Sequence, residues 1–278
     1  MLTSTELKSL LHARGLRLTK RLGQHHLVDA RLIARVIECC RLSAGDTVVE
    51  IGAGLGALTE PLADRAGRVL AVEVDRRVAD LLAERMQDQP QVTVVCGDIL
   101  EFTWDQAPDA VVVGAIPYHI TSPILVSLTE HRRFIRRAVL ILQEELADRL
   151  VAGPGTKAYG RLSVLAQYGW ELMPLLDLPR SAFFPQPEVD SSCLQLIPRR
   201  RPAAAVEDER RFFELVKAAF AHRRKTLANC LREAPGPGLT AQEAAALIRR
   251  AGLPPAVRGE TLSLDQFAAL ANLLRVTG

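Results

Sequence analysis

The segment at residues 48–58 has the sequence VVEIGAGLGAL and is the clearest indication of the fold. The apolar run at residues 47–51 predicts a buried strand. After it, Gly52, Gly54 and Gly56 alternate with other residues, and a helical pattern follows. A glycine-rich turn between a strand and a helix lets the backbone approach a ligand closely, and the helix N-terminus adds N–H donors. The segment therefore predicts a nucleotide-type cofactor at the carboxyl edge of a parallel sheet.

The composition of the 278-residue chain is that of a globular protein with an apolar core. Hydrophobic residues make up 48% of it and charged residues 24%. No apolar run approaches the roughly 18 residues of a membrane-spanning helix, and the first residues lack the apolar centre of a secretory signal. We therefore expect a cytoplasmic protein that does not enter a membrane.

The cysteines do not form a recognisable metal or disulfide pattern. Their number is odd, and no two are spaced as a CxxC pair. We expect reduced thiols, with neither a disulfide framework nor a metal site. The five are Cys39, Cys40, Cys96, Cys193 and Cys230.

Strand and helix patterns alternate over the first half of the chain. Asp29 is placed to cap a helix over residues 30–40, and Gly67 is placed to end a helix over residues 58–66. This alternation predicts a doubly wound parallel sheet. Its strands are expected at residues 47–51, 69–74, 92–96, 110–113 and 138–143, with an antiparallel edge at 170–176 and 193–197.

The pattern changes near residue 202, where we place a domain boundary. Residues 1–202 are expected to form the sheet domain with a basic N-terminal arm, and residues 203–278 a helical domain. The net charge is only +3, but basic residues are clustered. Such clusters fit nucleic-acid binding or an ordinary solvated surface. Two of them are Arg199, Arg200 and Arg201, and Arg223, Arg224 and Lys225.

Two acidic residues follow the next predicted strands. Glu73 stands 21 residues after Gly52, where a carboxylate can accept hydrogen bonds from both ribose hydroxyls of an adenosine. Asp98 follows the third strand, where it can accept from the adenine amine. The glycine pattern also fits NAD, or a turn without a ligand. The three features on successive strand ends favour S-adenosylmethionine over NAD.

A proline and an aromatic residue follow the fourth strand, in the sequence GAIPYH at residues 114–119. A rigid loop and the flat ring of Tyr118 over the pocket suit a base that is flipped out of its stack. With these residues in place, the chain resembles the ribosomal RNA adenine N6,N6-dimethyltransferases.

The resemblance covers nearly the whole chain. It implies a Rossmann-like S-adenosylmethionine-dependent methyltransferase sheet with a small all-helical C-terminal domain. The late motifs resemble the small-subunit dimethylase branch more than the erythromycin-resistance methylases. The motifs are, in order, LGQHHL at 22–27, EIGAGLGAL at 50–58, SAFFPQPEVDS at 181–191, AAFAHRRKTL at 218–227 and RGETLS at 258–263.

The resemblance also implies the residues of the site. The S-adenosylmethionine residues would be His25, Leu27, Gly52, Gly54, Glu73, Asp98 and Ala115. The catalytic segment would be Ala115, Ile116, Pro117 and Tyr118, with Phe183 and Tyr118 stacking on the target adenine; a core position is the alternative for Phe183. The phosphates of ribosomal RNA in the small subunit would contact Arg199, Arg200, Arg223, Arg224 and Lys225. We expect a monomer.

Two positions depart from the pattern of the relatives. Ala115 replaces an asparagine whose amide oxygen normally accepts a hydrogen bond from the target amine, and His26 replaces a phenylalanine. Losing one positioned hydrogen bond commonly costs ~10²–10³ in rate, by analogy with oxyanion-hole donors. The sequence therefore leaves two hypotheses. The chain is an active dimethyltransferase, or it binds the cofactor and RNA as a ribosome-assembly factor with weak or no methylation.

Overall fold

The computed structural model describes residues 4–15, 25–117, 120–234 and 238–274. Among these residues, no helix is long and apolar enough to cross a membrane. The predicted stacking residue Tyr118 and residues 1–3 and 16–24 of the N-terminal region lie outside the described residues.

The chain divides into two compact units. The sheet unit comprises Met1–Ala147 and Glu171–Pro198, and the helical unit comprises Asp148–Trp170 and Arg199–Gly278. The units differ from the predicted ranges in two places, because the segment from Asp148 to Trp170 groups with the helices and the later boundary lies at residue 198 rather than 202.

The grouping of that segment has a physical reason. The side chains of Tyr159, Val164 and Tyr168 are buried in the same apolar cluster as Phe212 and Phe267 of the later helices. Sequence periodicity does not predict this grouping, because the spacing of apolar residues indicates a helix but not the core against which the helix packs.

The sheet unit is built on seven strands in the spatial order β4-β3-β2-β5-β6-β9-β7. The pairs β2 with β3, β3 with β4, β2 with β5, and β5 with β6 are parallel, whereas β9 is antiparallel to β6. This confirms the predicted parallel sheet with an antiparallel edge. The strands are β1 (His26–Leu27), β2 (Thr47–Ile51), β3 (Arg68–Glu73), β4 (Val92–Cys96), β5 (Ala110–Ala115), β6 (Ile135–Gln143), β7 (Trp170–Leu178), β8 (Phe183–Phe184) and β9 (Ser191–Pro198).

Helices cover the sheet because their apolar faces pack against the apolar side chains of its strands. Ile33 and Val36 of the helix after β1 pack in one cluster with Val48, Val111 and Val139 from three strands. Such strands are near-continuous apolar runs, as expected for a sheet buried by helices. The helices are α1 (Ser4–Ala13), α2 (Ala30–Cys40), α3 (Thr59–Ala63), α4 (Arg76–Arg85), α5 (Thr121–Glu130) and α6 (Glu144–Val151).

Two predicted helix ends had different outcomes. Asp29 caps α2 as predicted, since its side chain accepts the N–H groups of Arg31 and Leu32. The prediction that Gly67 ends the next helix was wrong, because α3 already ends at Ala63. Gly67 is instead required by close packing: a Cβ there would overlap the carbonyl oxygen of Ala44.

From residue 203 on, the regular elements of the described residues are all helices, as predicted. A Cβ on Gly259, in the RGETLS motif, would lie 2.6 Å from the carbonyl oxygen of Ala219, so this motif packs directly on the end of α8. Tyr159 also donates a hydrogen bond to the carbonyl of Leu262 over 2.8 Å. The helices are α7 (Arg161–Gly169), α8 (Glu209–Ala219), α9 (Leu227–Glu233), α10 (Ala241–Arg250) and α11 (Leu264–Leu273).

Candidate cofactor and active site

A cavity of about 230 Å³ lies at the carboxyl ends of β2, β3, β4 and β5. Most of the predicted cofactor residues line it, although they come from distant parts of the sequence. This is the edge at which a doubly wound sheet binds its ligands. The predicted residues that it brings together are His25, Gly52, Gly54, Glu73, Asp98, Ala115 and Pro117.

Three predicted residues do not line this cavity. Leu27, Ile116 and Phe183 are buried side chains. Phe183 is only 6% exposed and belongs to the same apolar cluster as Leu27. The two residues lie opposite each other in the pairing of β1 with β8. The structure therefore places Phe183 in the core.

The glycine turn adopts a backbone that other residues rarely adopt. The φ angles of Gly52, Gly54 and Gly56 are +68°, +56° and +85°. The turn is also crowded: a Cβ on Gly54 would lie 2.6 Å from Cε1 of His26. At Gly56 it would lie 2.8 Å from Cδ1 of Leu82. Glycine is thus required at these places by both backbone angle and space.

The carboxylate of Glu73 is fixed by the backbone on both of its oxygens. Oε2 accepts the N–H of Gly54 over 2.9 Å, and Oε1 accepts the N–H of Asp75 over 3.0 Å. Glu73 is 5% exposed, and burial raises its pKa, although the two N–H groups oppose that shift. Each oxygen keeps acceptor capacity, so the carboxylate is oriented for hydroxyl donors in the cavity.

Asp98 supplies a second acceptor at the neighbouring strand end. It follows β4, and its Oδ1 accepts the N–H of Leu100 over 2.9 Å, which fixes the side chain as the cap of the short 3-10 turn Ile99–Glu101. Asp98 is exposed and lines the cavity. It stands one strand beyond Glu73, as the sequence spacing predicts.

The side of the cavity after β5 is built from backbone and apolar groups. A Cβ on Gly52 would lie 3.8 Å from the carbonyl oxygen of Ala115, so this carbonyl faces the glycine turn. The Pro117 carbonyl accepts from the N–H of Ile120 and from Oγ1 of Thr121, each over 3.1 Å. The Ala115 side chain adds no polar atom to this side.

Two polar residues of the site region had no predicted role. His26 lines the cavity at 8% exposure, and burial, helped by the charge of His25, lowers its pKa to about 4. Glu50 is buried at the end of β2 and accepts a hydrogen bond from Oγ1 of Thr59 over 2.5 Å. Burial raises the pKa of Glu50 to about 8. Two features of the sequence could have indicated these residues: Glu50 is a carboxylate inside an apolar strand, and His26 is a second histidine in the LGQHHL motif.

A comparison with protein families matches residues 15–275 to the ribosomal RNA adenine dimethylases. The chain belongs to this family. The Ribosomal RNA small subunit methyltransferase A of Geobacter metallireducens is 41% identical over 274 residues, which are 96% of this chain and 99% of that protein. The protein of the same name from Bacillus mycoides is 39% identical over 281 residues, 98% of this chain and 96% of that one.

Solved structures have the same fold. The 23S rRNA methyltransferase ErmE superposes with a TM-score of 0.65 at 30% identity, over 89% of this chain and 98% of that chain. A dimethyladenosine transferase from Plasmodium falciparum gives a TM-score of 0.73 at 24% identity, over 88% and 95%. The predicted fold class is confirmed.

Members of this family are S-adenosylmethionine-dependent methyltransferases, and S-adenosylmethionine is the cofactor of this chain. The residues present fit it. A Cβ on Gly52 would meet only the Ala115 carbonyl oxygen, at 3.8 Å, so this position leaves space for a close ligand, and Glu73 and Asp98 offer acceptors at successive strand ends. Within the described part of the chain, no group of three or more His, Cys, Asp or Glu side chains is arranged to hold a metal ion.

Three of the predicted RNA-binding residues are already engaged within the helical unit. Arg223 forms an ion pair with Glu260, and Lys225 one with Glu233, each over 2.6 Å. Nε of Arg199 donates to the carbonyls of Gln167 and Trp170, each over 3.2 Å. These contacts stabilise the unit itself.

The other two predicted RNA-binding residues differ in their surroundings. Arg200 and Arg224 are exposed, and each is next in sequence to one of the engaged cations.

Proposed function

We propose that this chain transfers methyl groups from S-adenosylmethionine to N6 of adenines in small-subunit ribosomal RNA and dimethylates them. The observation that carries the proposal is the cavity itself. It is lined by the glycine turn, by the Glu73 carboxylate with its two backbone hydrogen bonds, and by Ala115 and Pro117. The chain that carries this cavity belongs to the adenine dimethylase family.

Each side of the cavity has a separate task in this proposal. S-adenosylmethionine, when bound, supplies an electrophilic methyl group on a sulfonium sulfur. Glu73 accepts from the ribose hydroxyls, Asp98 accepts from the adenine amine of the cofactor, and the glycine turn allows close approach. No covalent intermediate with the protein is needed, so catalysis consists mainly of positioning and exclusion of water.

The target adenine is held on the Ala115–Pro117 side. The carbonyl of Ala115 is the acceptor that we assign to the target amine, since its side chain cannot accept. We assign stacking on the base to Tyr118, which lies outside the described residues, because Phe183 is buried in the core. One stack on an aromatic ring contributes about 1–3 kcal/mol.

The substrate we infer is ribosomal RNA within the small subunit. The exposed cations Arg200 and Arg224 contact its phosphates, so binding is expected to weaken as salt concentration rises. We further propose that the protein acts as a cytoplasmic monomer. The alternative, a poorly methylating assembly factor, gains no support from the relatives, which are named as methyltransferases.

Incubation of the protein with labelled S-adenosylmethionine and undermethylated small ribosomal subunits tests this function. Label is expected in the RNA, as dimethyladenosine on nucleoside analysis, and fully methylated subunits are the control that takes none. Cofactor binding is measured in parallel by calorimetry with S-adenosylhomocysteine. Binding without any labelled RNA would overturn the enzymatic function and favour the assembly factor.

A further inference from the structure

The strongest unexplained feature of the sheet unit is the imidazole of His26. It lines the cavity and is 8% exposed. Its Nε2 is buried and has no hydrogen-bond partner among the residues that the structure describes. Buried polar atoms in native proteins nearly always have a partner, so an orphaned nitrogen beside a ligand cavity points to a partner on the ligand.

The position of the ring is set by the backbone. His26 belongs to β1, which pairs antiparallel with β8, with His26 opposite Phe184. This pairing holds the ring against the glycine turn: a Cβ on Gly54 would lie 2.6 Å from Cε1 and 3.0 Å from Nδ1 of His26. The imidazole is therefore fixed on the turn next to the cavity.

The ring is also neutral at neutral pH. Burial, with a smaller contribution from the charge of His25, lowers the pKa of His26 to about 4. A neutral imidazole adds no charge beside a sulfonium ion, and it keeps one nitrogen as donor and one as acceptor. His25 is held differently, since its Nδ1 lies 2.7 Å from the carbonyl oxygen of Pro185. Because a carbonyl only accepts, that nitrogen carries the proton.

We propose that His26 is a further cofactor-binding residue, whose ring nitrogen forms a hydrogen bond with the amino-acid end of S-adenosylmethionine. This inference rests on the proposed function, in which Asp98 and Glu73 bind the adenine and ribose. The strands β4, β3 and β2 are neighbours in the sheet, and their ends follow the cofactor from adenine to ribose. Asp98 follows β4 and Glu73 ends β3, and the next strand end is the glycine turn after β2, against which His26 lies. The remaining polar part of the cofactor is its carboxylate and ammonium.

The first test compares two ligands in one variant. His26→Phe keeps a flat ring on Gly54 and removes both nitrogens. Calorimetry is expected to show about tenfold weaker binding of S-adenosylhomocysteine, the effect of one hydrogen bond, and unchanged binding of 5′-methylthioadenosine, which lacks the amino-acid end. The control is His131→Phe, at a ring that stacks on Trp104 outside the cavity lining; it should bind both ligands as the unaltered protein does.

Thermal unfolding separates a ligand contact from a structural role. Because His26→Phe removes an orphaned nitrogen, the melting temperature without ligand should be unchanged or higher. The increase produced by S-adenosylhomocysteine should be smaller than in the unaltered protein. A lower melting temperature with an unchanged ligand-induced increase would overturn the proposal and make the role of His26 structural.

Nitrogen NMR tests the same contact in the unaltered protein, so its result does not depend on whether His26→Phe folds. The imidazole of His26 is expected to be neutral at pH 6.5, and its nitrogen shifts should change with S-adenosylhomocysteine but not with 5′-methylthioadenosine. Equal changes with both ligands, or none, would overturn the proposal. If the unaltered protein binds neither ligand, the proposed function fails; if it binds both and His26→Phe binds equally well, only this inference fails.

Discussion

The two sides of the cavity are built in different ways. The glycine turn is tied to its surroundings by backbone hydrogen bonds: the N–H of Gly54 donates to Glu73, and the N–H of Gly52 donates to the carbonyl of Val72. The Ala115–Pro117 side, in contrast, presents an alanine and a proline ring to the cavity. The cofactor side is thus preorganised by side chains and backbone together. The side assigned to the target base relies on the backbone and on residues beyond this segment.

The largest effect is expected for Gly54→Ala on the cofactor side. An alanine at φ +56° is strained, and its Cβ would lie 2.6 Å from Cε1 of His26. Because either the turn or the imidazole must move, we expect the affinity for S-adenosylhomocysteine to fall by about 100-fold, which corresponds to roughly 2.7 kcal/mol. Calorimetry measures it.

The matched control is Gly45→Ala in the same unit. Its φ is outside the left-handed region, and a Cβ there meets nothing within 4 Å. It should bind S-adenosylhomocysteine as the unaltered protein does. If Gly54→Ala binds within about threefold of the unaltered protein, the turn is not the rigid element that its geometry indicates.

The difference between the two sides also explains what the sequence could predict. The requirements of the glycine turn are local, since a strand followed by alternating glycines demands left-handed backbone angles at fixed positions. Glu73 and Asp98 follow from the same logic, because parallel strands end at one edge. Gly52, Gly54, Glu73 and Asp98 all line the cavity.

Residues whose role depends on distant contacts were not predictable in this way. Phe183 stands in a motif, but its burial depends on the pairing of β8 with β1. His26 reaches Gly54 through the same pairing. Gly67 has the position of a helix-ending residue, yet it is required by the carbonyl of Ala44. A periodicity within one segment carries no information about which other segment will pack on it.

Ala115→Asn changes the side of the cavity that we assign to the target base. An asparagine would give this side a side-chain acceptor for the target amine, so we expect the single-turnover methylation rate to rise by about tenfold, less than the full effect of a positioned catalytic hydrogen bond. Binding of S-adenosylhomocysteine should stay within twofold. Radiolabel incorporation into undermethylated subunits measures the rate.

Ala115→Leu is the control for this change, because leucine adds similar bulk without an acceptor. It should not raise the rate. An unchanged or lower rate in Ala115→Asn would mean that the backbone carbonyl of Ala115 already suffices, or that another residue supplies the acceptor.

The remaining prediction concerns stability rather than binding or rate, and the way in which the glycine turn is held at its two ends. Glu50 lies one residue before the end of the strand that precedes the turn, and it accepts a hydrogen bond from Oγ1 of Thr59 in the helix after the turn, over 2.5 Å. Burial, with a smaller contribution from the charge of Glu73, raises the pKa of Glu50 to about 8, and the Thr59 hydrogen bond opposes this shift. At neutral pH, Glu50 is therefore protonated in the folded protein and ionised in the unfolded one.

This difference in protonation sets the sign of a pH effect on stability. Because the folded state keeps a proton that the unfolded state loses above about pH 4.5, the free energy of unfolding falls by about 1.4 kcal/mol per pH unit from there toward pH 8. Glu50→Gln keeps an acceptor for Thr59 and removes the titration. Between pH 6 and pH 8, the variant should therefore gain roughly 2 kcal/mol relative to the unaltered protein. Urea unfolding at the two pH values measures this difference in the free energy of unfolding, and the exposed Glu84→Gln is the control.

Parallel pH profiles for Glu50→Gln and the unaltered protein would contradict the prediction. They would mean that the Glu50 carboxylate is already ionised in the folded state. In that case the strand before the glycine turn would carry a second buried negative charge beside Glu73, and the hydrogen bond to Thr59 would stabilise a charge rather than connect two neutral groups.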